Sequence, residues 1–267
     1  MSVYSGSKTI YVEQAINSVL ESIHFSRNNN IKIEILIGVD GEIDKHIRKL
    51  LDFYILEHHQ VKVINFDKNR GLGPVINDLI LKSRGTYCIR MDDDDIMSPE
   101  RIQECYDLHV RKGFDLVSSD IIEFDKDVKS IIGVRSCALQ LDSYKSYIRN
   151  PLNHVATSFN KEKIIKTGGY HSLRSFEDWN LWLRCTGLRY KKSKKVLVLV
   201  RAGSHMASRR RGFAYILNEI AFLRSIFKIN KAGFLIFLGV LPLRIAFRML
   251  PPKMYSLFTK KLFREHM

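Results

Sequence analysis

Strand-type and helix-type patterns alternate along the first 112 residues. Apolar, β-prone runs at 33–39, 61–64 and 87–91 are each followed by apolar residues that recur at helical spacing. The repeat is about 25 to 30 residues long, which is typical of strands connected by helices. The alternation therefore predicts an α/β fold in which helices flank a largely parallel, doubly wound sheet.

Four consecutive aspartates, at positions 92–95, follow the strand pattern at 87–91. Ser98 and Pro99 then mark the start of a helix. Adjacent like charges cost free energy unless a cation or hydrogen-bond donors compensate for them, and a hard divalent ion at a strand end would do so. Short charge runs are also often solvated turns. The aspartate run by itself does not decide between a metal-binding site and a solvated turn.

Positive charge is concentrated in the C-terminal part of the chain. The formal net charge is +15, and the residues from 201 onward include thirteen Lys or Arg and only two acidic residues. These cations lie among Leu, Ile, Phe and Met residues, which is typical of a helix at a membrane interface. A helix packed on the domain with a cationic outer face is the alternative. The apolar run at 232–243 is too short to span a bilayer.

Five motifs in order along residues 1–212 resemble the bacterial family 2 glycosyltransferases, which have the nucleotide-sugar-binding GT-A fold. The motifs lie at 1–6, 37–41, 69–73, 91–101 and 177–178. Further segments at 149–154, 168–170 and 209–210 narrow the resemblance. These segments resemble those of the enzymes that extend O-antigen or exopolysaccharide repeat units on an undecaprenyl-diphosphate carrier.

The resemblance implies a binding site for a UDP-sugar donor. Its candidate residues are Ser2, Tyr4, Asp40, Arg70, Asp92, Asp93, Arg201 and Arg210. Asp40 would accept a hydrogen bond from the uracil imide N–H, and Tyr4 would stack on the base. The arginines would bind phosphate or carbonyl groups. The implied cofactor is Mn²⁺ or Mg²⁺ bridging the diphosphate, with Asp94 and Asp92 as metal ligands.

On the acceptor side, the resemblance implies that Asp178 is the catalytic base of an inverting transfer. A charge that only complements a helix N-terminus is the alternative for this residue. Glu177, His154 and Trp182 are the further candidates for acceptor contacts. His154 could instead bond a loop carbonyl, and Trp182 could belong to the core.

These observations predict two regions. Residues 1–212 would form the GT-A domain, with a donor-binding half at 1–112 and an acceptor-binding half at 113–212, and residues 213–267 a helical, basic, membrane-associating tail. The implied reaction moves a hexose from a UDP-sugar to a lipid-diphosphate-linked saccharide at the inner face of the bacterial inner membrane. Four cysteines without metal-ligand spacing fit the reducing cytoplasm. The identities of both sugars stay open.

The chain departs from the family pattern at its start and in one signature. The segment that resembles the first strand is very short, as expected if the start were truncated, and the Q-x-x-R-W signature of processive synthases is absent. The missing signature favours addition of one sugar per encounter.

Two other classes remain possible from the sequence. A nucleic-acid-binding protein would explain the charge, but its cations should cover the folded domain, so we expect no specific nucleic-acid partner. A metal-dependent phosphohydrolase would use the aspartate run but leaves Asp40 and Asp178 without a role.

Overall fold

The computed structural model describes residues 1–26, 31–202, 212–251 and 254. The strands are β1 (Ser2–Tyr4), β2 (Ile35–Asp40), β3 (Val61–Phe66), β4 (Tyr87–Ile89), β5 (Ile96–Met97), β6 (Leu116–Ser118), β7 (Ile121–Phe124), β8 (Ile131–Arg135), β9 (Ser158–Asn160), β10 (Tyr190–Lys192) and β11 (Val198–Arg201). The α-helices are α1 (Thr9–Phe25), α2 (Lys45–Glu57), α3 (Leu72–Lys82), α4 (Arg101–Tyr106), α5 (Lys161–Lys166), α6 (Glu177–Arg184), α7 (Phe213–Ile229) and α8 (Lys231–Met249). The predicted alternation of strands and helices is confirmed.

Parallel pairing joins the N-terminal strands in the order β1-β2-β3. The register places Tyr4 beside Asp40, so the last residues of β1 and β2 are direct neighbours. The second sheet has the order β10-β6-β9-β4, and β9 runs antiparallel between β6 and β4. Parallel pairing recurs between β6 and β10 and between β7 and β11, whereas β5 with β11 and β7 with β8 pair antiparallel. The strand pairing is therefore mixed.

A buried arginine links the end of β4 to the loop that precedes β9. Arg101 has no exposed surface, and its Nη2 donates to the backbone carbonyls of Arg90 (2.8 Å), Val155 (2.8 Å) and Thr157 (3.2 Å). Bonds from a charged donor to buried carbonyls are strong and directional. Arg101 thus fixes the backbone on which the aspartate run begins.

The C-terminal helices pack directly on α6. Trp179 and Leu183 of α6 share one core cluster with Phe222 of α7 and with Phe237 and Leu241 of α8. Asn180 also donates to the Ser225 hydroxyl at 2.9 Å. Packing therefore continues across the boundary that the sequence predicts at residue 212.

A buried ion-pair cluster locks α7 to α8. Glu219 is fully buried, and its Oε1 lies 3.1 Å from Arg244 Nη2 and 3.0 Å from Arg248 Nη2. Arg244 Nη1 also donates to the Ile148 carbonyl at 3.2 Å. Two of the tail cations thus serve internal pairing, because a buried carboxylate without a partner would be strongly destabilising.

Helix α8 is longer than the apolar run that marks it in the sequence. It has 19 residues and is apolar enough, by length and composition, to cross a membrane. The prediction of a segment too short to span a bilayer is corrected on this point. Its inner face is nevertheless used in packing against α6 and α7.

Candidate active site

The ends of β1 and β2 form one wall of the candidate site. The Asp40 carboxylate accepts hydrogen bonds from the backbone N–H groups of Arg70 (2.7 Å) and Gly71 (2.9 Å). Asp40 thereby holds the loop at 69–71, where Gly71 has the positive φ that glycine tolerates. Tyr4 lies at the edge of this wall, with its ring packed over Gly6, where a Cβ would come within 2.5 Å. The side chain of Tyr4 is partly exposed, as a stacking surface requires.

Three of the four aspartates in the run have partners within the protein. The Asp92 carboxylate pairs with the Arg90 guanidinium, and Asp93 accepts a hydrogen bond from the Ser7 hydroxyl. The buried Asp95 accepts from the backbone N–H of Arg201 at 2.8 Å. Among the described residues, Asp94 receives no hydrogen bond from a neighbouring side chain. Asp94 is therefore the carboxylate of the run that is available to a ligand.

The charged forms of the Asp94 and Asp95 side chains are disfavoured in the folded protein. Burial and the charges of Asp92 and Asp93 raise the pKa of Asp94 to about 6. Burial and the neighbouring carboxylates also raise the pKa of Asp95 well above its usual range. A cation at this point would relieve the repulsion, which is the electrostatic signature expected of a metal-binding carboxylate.

The residues present fit a divalent cation that binds together with a diphosphate. No group of three or more His, Cys, Asp or Glu side chains encloses a metal position within the described ranges. Mg²⁺ is usually held by only one or two carboxylates plus phosphate oxygens and water. Asp94, with Asp92 beside it, supplies this kind of donor set.

The predicted donor-binding arginines differ in their placement. Arg201 donates to the carbonyls of Asp94 (3.1 Å) and Lys126 (2.9 Å) and to the Gln14 side chain (2.7 Å), so it supports the backbone of the aspartate run. Arg70 pairs with Asp78 at 2.6 Å on the exposed rim of the site. Arg210 lies outside the described residues. Donor contacts by these arginines and by the largely buried Ser2 stay predictions.

Helix α6 begins with the two predicted acidic residues. Asp178 Oδ2 accepts from Asn150 Nδ2 at 2.7 Å, and its Oδ1 accepts from the backbone N–H of Trp179 at 2.7 Å. The bond from Asn150 orients the carboxylate across the loop at 149–154. Burial, with Asp178 next to it, raises the pKa of Glu177 to about 7. Glu177 is therefore substantially protonated near neutral pH.

The raised pKa of Glu177 predicts a pH-dependent effect of Glu177→Gln on stability. The folded-state pKa of about 7 exceeds the ordinary value of 4.5, so the wild type loses stability as the pH rises through this window. The variant cannot ionise and should have a higher melting temperature than the wild type at about pH 8, and nearly the same one at about pH 5. Thermal melts at both pH values measure the difference.

The exposed Glu57→Gln variant, at the end of α2, is the control for this comparison. A melting difference for Glu177→Gln that does not change between the two pH values would contradict the raised pKa.

His154 lies between the two acidic groups. Asp178 and Asp92 are near enough to act on its pKa, and its Nε2 is 2.9 Å from the Tyr170 hydroxyl. Burial and the nearby Arg90 lower the pKa of His154 to about 4, so the ring is neutral at physiological pH. The alternative that His154 Nε2 bonds a loop carbonyl is wrong, because the partner of this nitrogen is the Tyr170 hydroxyl. Acceptor contact by His154 stays a prediction, and a neutral ring would make it as a hydrogen bond.

Trp182 is a core residue. It has no exposed surface and packs in the cluster that contains Leu181 and Tyr170, with its ring centroid 6.2 Å from that of His154. The sequence prediction of an acceptor contact is corrected here, because a side chain without exposed surface cannot stack on a sugar. Trp182 instead supports the position of His154.

The structure adds residues that the motifs did not single out. Arg90 is buried and carries the positive charge that faces Asp92, Glu177 and His154. Asn150 and Tyr170 lie in the segments at 149–154 and 168–170, so the resemblance of those segments was the only signal for them. A cavity of about 380 Å³, lined by residues 69–74, 172–174 and Glu177, opens beside α6.

The aspartate run and the start of α6 are connected through the loop at 149–154, because Arg101 donates to the carbonyls of Arg90 and Val155, and Asn150 of the loop donates to Asp178. The sequence model of the family described as Glycosyl transferase family 2 matches residues 9–216. The chain belongs to this family. This membership decides between transferase and phosphohydrolase, and the chain is a family 2 glycosyltransferase.

Similar proteins extend over nearly the whole transferase. The amylovoran biosynthesis glycosyltransferase AmsE of Erwinia amylovora is 29% identical over 266 residues, which cover 98% of this chain and 97% of the relative. The Escherichia coli UDP-Gal:alpha-D-GlcNAc-diphosphoundecaprenol beta-1,3-galactosyltransferase is 27% identical over 273 residues, which cover 99% and 95%. S. aureus TarS 1-349, solved in complex with UDP-GlcNAc, has a TM-score of 0.63 at 16% identity over 85% of this chain and 65% of that chain. The predicted GT-A fold is confirmed.

Proposed function

We propose that this transferase moves a hexose from a UDP-sugar to a saccharide linked to undecaprenyl diphosphate, with inversion at the anomeric carbon and with a divalent cation. The observation that carries the proposal is the hydrogen-bonded connection between the aspartate run and Asp178, which leads from Arg101 through the loop at 149–154 to Asn150. Glycosyl transfer needs both a group that stabilises the leaving diphosphate and a base for the acceptor hydroxyl. The names of the two relatives favour exopolysaccharide or O-antigen synthesis and a lipid-linked acceptor.

On the donor side, the chain itself would bind and orient the nucleotide. Asp40 holds the loop at 69–71 and has further lone pairs that could accept the uracil imide N–H, while Tyr4 lies next to it in register. Arg201 keeps the backbone of Asp94 and Asp95 in place from β11. A bound Mn²⁺ or Mg²⁺, held by Asp94 and Asp92, would supply charge neutralisation for the leaving diphosphate.

On the acceptor side, Asp178 would take the proton of the attacking hydroxyl. Its Oδ1 and Oδ2 are held by the Trp179 amide and by Asn150, so the remaining lone pairs point in a defined direction. Attack from the face opposite the nucleotide inverts the configuration of the transferred sugar. The protonated form of Glu177 keeps a second negative charge away from Asp178 and so favours binding of an anionic donor and acceptor.

A donor screen tests this function. The purified chain is incubated with UDP-galactose, UDP-glucose and their N-acetyl forms, a synthetic N-acetylhexosamine-diphospho-lipid acceptor, and Mn²⁺ or Mg²⁺. Mass spectrometry should show a mass increase of one hexose or one N-acetylhexosamine with one donor, and NMR should show an inverted anomeric centre. A product that forms equally in chelator, or hydrolysis of the donor without transfer, would contradict the proposal.

We further propose that the tail docks peripherally on the cytoplasmic face of the inner membrane. The outer face of α8 exposes Leu235, Leu238 and Leu243, although its inner face packs on the transferase core. Exposed apolar side chains on a helix in a strongly basic region fit an anionic bilayer surface. A helix that is committed on one face to Phe222 and Trp179 would lie in the interface and not across it.

Substitution of the exposed leucines tests the docking without disturbing the core. The triple variant Leu235→Ser, Leu238→Ser, Leu243→Ser should lose binding to anionic liposomes in a flotation assay and keep transfer to a short-chain, water-soluble acceptor. Leu56→Ser on α2, at a residue that is 83% exposed, is the matched control. Truncation after Lys228 is a poor test, because it would remove Phe237 and leave Glu219 without its arginines. Equal flotation of the triple variant and the wild type would contradict membrane docking by α8.

A further inference from the structure

The backbone immediately before the acidic pair is in a strained conformation. Phe176 has φ 67° and ψ 17°, in the left-handed region, and it alone has a positive φ among the non-glycine residues that the structure describes. This conformation is costly for a residue with a Cβ, and it persists only where the surroundings impose it. Such residues cluster at functional sites, and Phe176 directly precedes Glu177 and Asp178.

Aromatic rings from the C-terminal helices hold Phe176 in place. Its ring stacks on Phe222 of α7 at 5.1 Å between centroids and meets Tyr215, also of α7, edge-on at 5.2 Å. The edge of Trp179 lies at 6.1 Å. Two of these three rings come from α7, which lies beyond the segment that carries the family motifs. These packing contacts are the surroundings that impose the strained conformation on Phe176.

The backbone carbonyl group of Phe176 connects these ring contacts to Asp178, the proposed catalytic base. It accepts a hydrogen bond from the backbone N–H of Asn180 at 2.9 Å and so closes the first turn of α6. Asp178 lies inside that turn, and its carboxylate is bound by Asn150 from the opposite side. A change in the direction of the Phe176 carbonyl would therefore tilt the helix start and move the Asp178 carboxylate relative to Asn150.

We propose that Phe176 is a positioning residue: the rings of α7 hold it in the left-handed conformation, and that conformation sets the Asp178 carboxylate for proton transfer. The proposal rests on the proposed function, in which Asp178 is the base. It makes α7 part of the catalytic apparatus through the contacts of Tyr215 and Phe222 with Phe176. A displacement of about 1 Å in a catalytic group can cost on the order of a hundredfold in rate.

The test compares Phe176→Ala with Phe237→Ala in the full chain. Phe237 is fully buried in the same aromatic cluster and contacts Trp179 and Phe222, but it makes no ring contact with Phe176. Both variants should lower the melting temperature. At a temperature well below both transitions, Phe176→Ala should lower kcat by about tenfold or more and leave the Kd for UDP unchanged, whereas Phe237→Ala should keep kcat within about threefold.

Two further variants separate the backbone from the ring and protect the test against misfolding. Phe176→Gly removes the ring but tolerates the left-handed conformation, so its kcat should lie between those of the wild type and Phe176→Ala. Tyr215→Leu removes one of the two α7 rings that contact Phe176. It should lower kcat by about two- to fivefold without a change in UDP binding. These variants decide the matter if Phe176→Ala does not fold.

The outcomes distinguish this proposal from the function on which it rests. If Asp178→Asn keeps the wild-type turnover, the assignment of Asp178 as the base in the proposed function fails. If Asp178→Asn is inactive but Phe176→Ala and Tyr215→Leu keep kcat, the positioning role of Phe176 is wrong. An equal loss of kcat in Phe176→Ala and Phe237→Ala, at the same margin below their melting temperatures, would also overturn it, because general loosening of the core would then suffice.

Discussion

Asp178→Asn is expected to lower kcat by about two to four orders of magnitude, with donor binding within a few-fold of the wild type. The amide keeps the size of the side chain and could still accept from Asn150, whose Nδ2 lies 2.7 Å from Oδ2 in the native protein. It cannot take the proton of the acceptor hydroxyl, so the barrier of the chemical step rises while the ground state is little changed. Steady-state kinetics and calorimetric binding of UDP measure the two quantities separately.

The exposed Asp52→Asn, on α2, controls for the loss of one negative charge. Normal turnover of Asp178→Asn would place the base elsewhere, and Glu177 would be the first candidate because it is the adjacent carboxyl group at the start of α6. A parallel loss of UDP binding would show instead that the substitution disturbs the donor side, through the loop at 149–154 that Asn150 joins to Asp178.

Asp94→Ala is expected to abolish transfer and metal-dependent UDP binding together. Asp94 accepts no hydrogen bond from another described side chain, and burial together with the charges of Asp92 and Asp93 raises its pKa to about 6, although Arg201 partly offsets the shift. The cation and the diphosphate should bind as one unit, because each neutralises the other in a partly buried site. Calorimetry of UDP binding with Mn²⁺, and again with chelator, tests this coupling.

Asp125→Ala, in the exposed turn between β7 and β8, is the control, and it should bind UDP with Mn²⁺ as the wild type does. Wild-type turnover of Asp94→Ala in chelator would remove the metal from the mechanism. Loss of transfer with intact Mn²⁺-dependent UDP binding would assign the cation to other ligands, with Asp92 next in order.

Much of the candidate site could be predicted from the sequence, because its acidic groups occur where local signals are strong. Asp40 and the run at 92–95 each follow an apolar strand pattern, and Asp178 lies at a recognisable helix start. Arg90 and Tyr170 were missed because nothing nearby in the sequence indicates which buried groups they face. Their roles depend on contacts such as the one between Tyr170 and His154, which are 16 residues apart.

The order of strands and helices, the family motifs and the position of the acidic groups were determined by the sequence alone. Their physical basis is local: apolar periodicity sets the elements, and the ends of parallel strands necessarily meet at one edge of a sheet. The placement of β9 was not determined in this way, because its direction between β4 and β6 is decided by pairing with distant strands.

Only the tertiary structure decided how the C-terminal helices relate to the site. In the sequence, Arg244 and Arg248 are two more cations in a basic, apolar tail, and a single acid, Glu219, lies some distance before them. Folding buries that acid, and the free-energy cost of an unpaired buried charge draws both arginines inward. The same packing places Phe222 against Phe176 and imposes a backbone conformation that no local propensity would favour. Burial and pairing across the fold cannot be read from periodicity, because they depend on which surfaces meet.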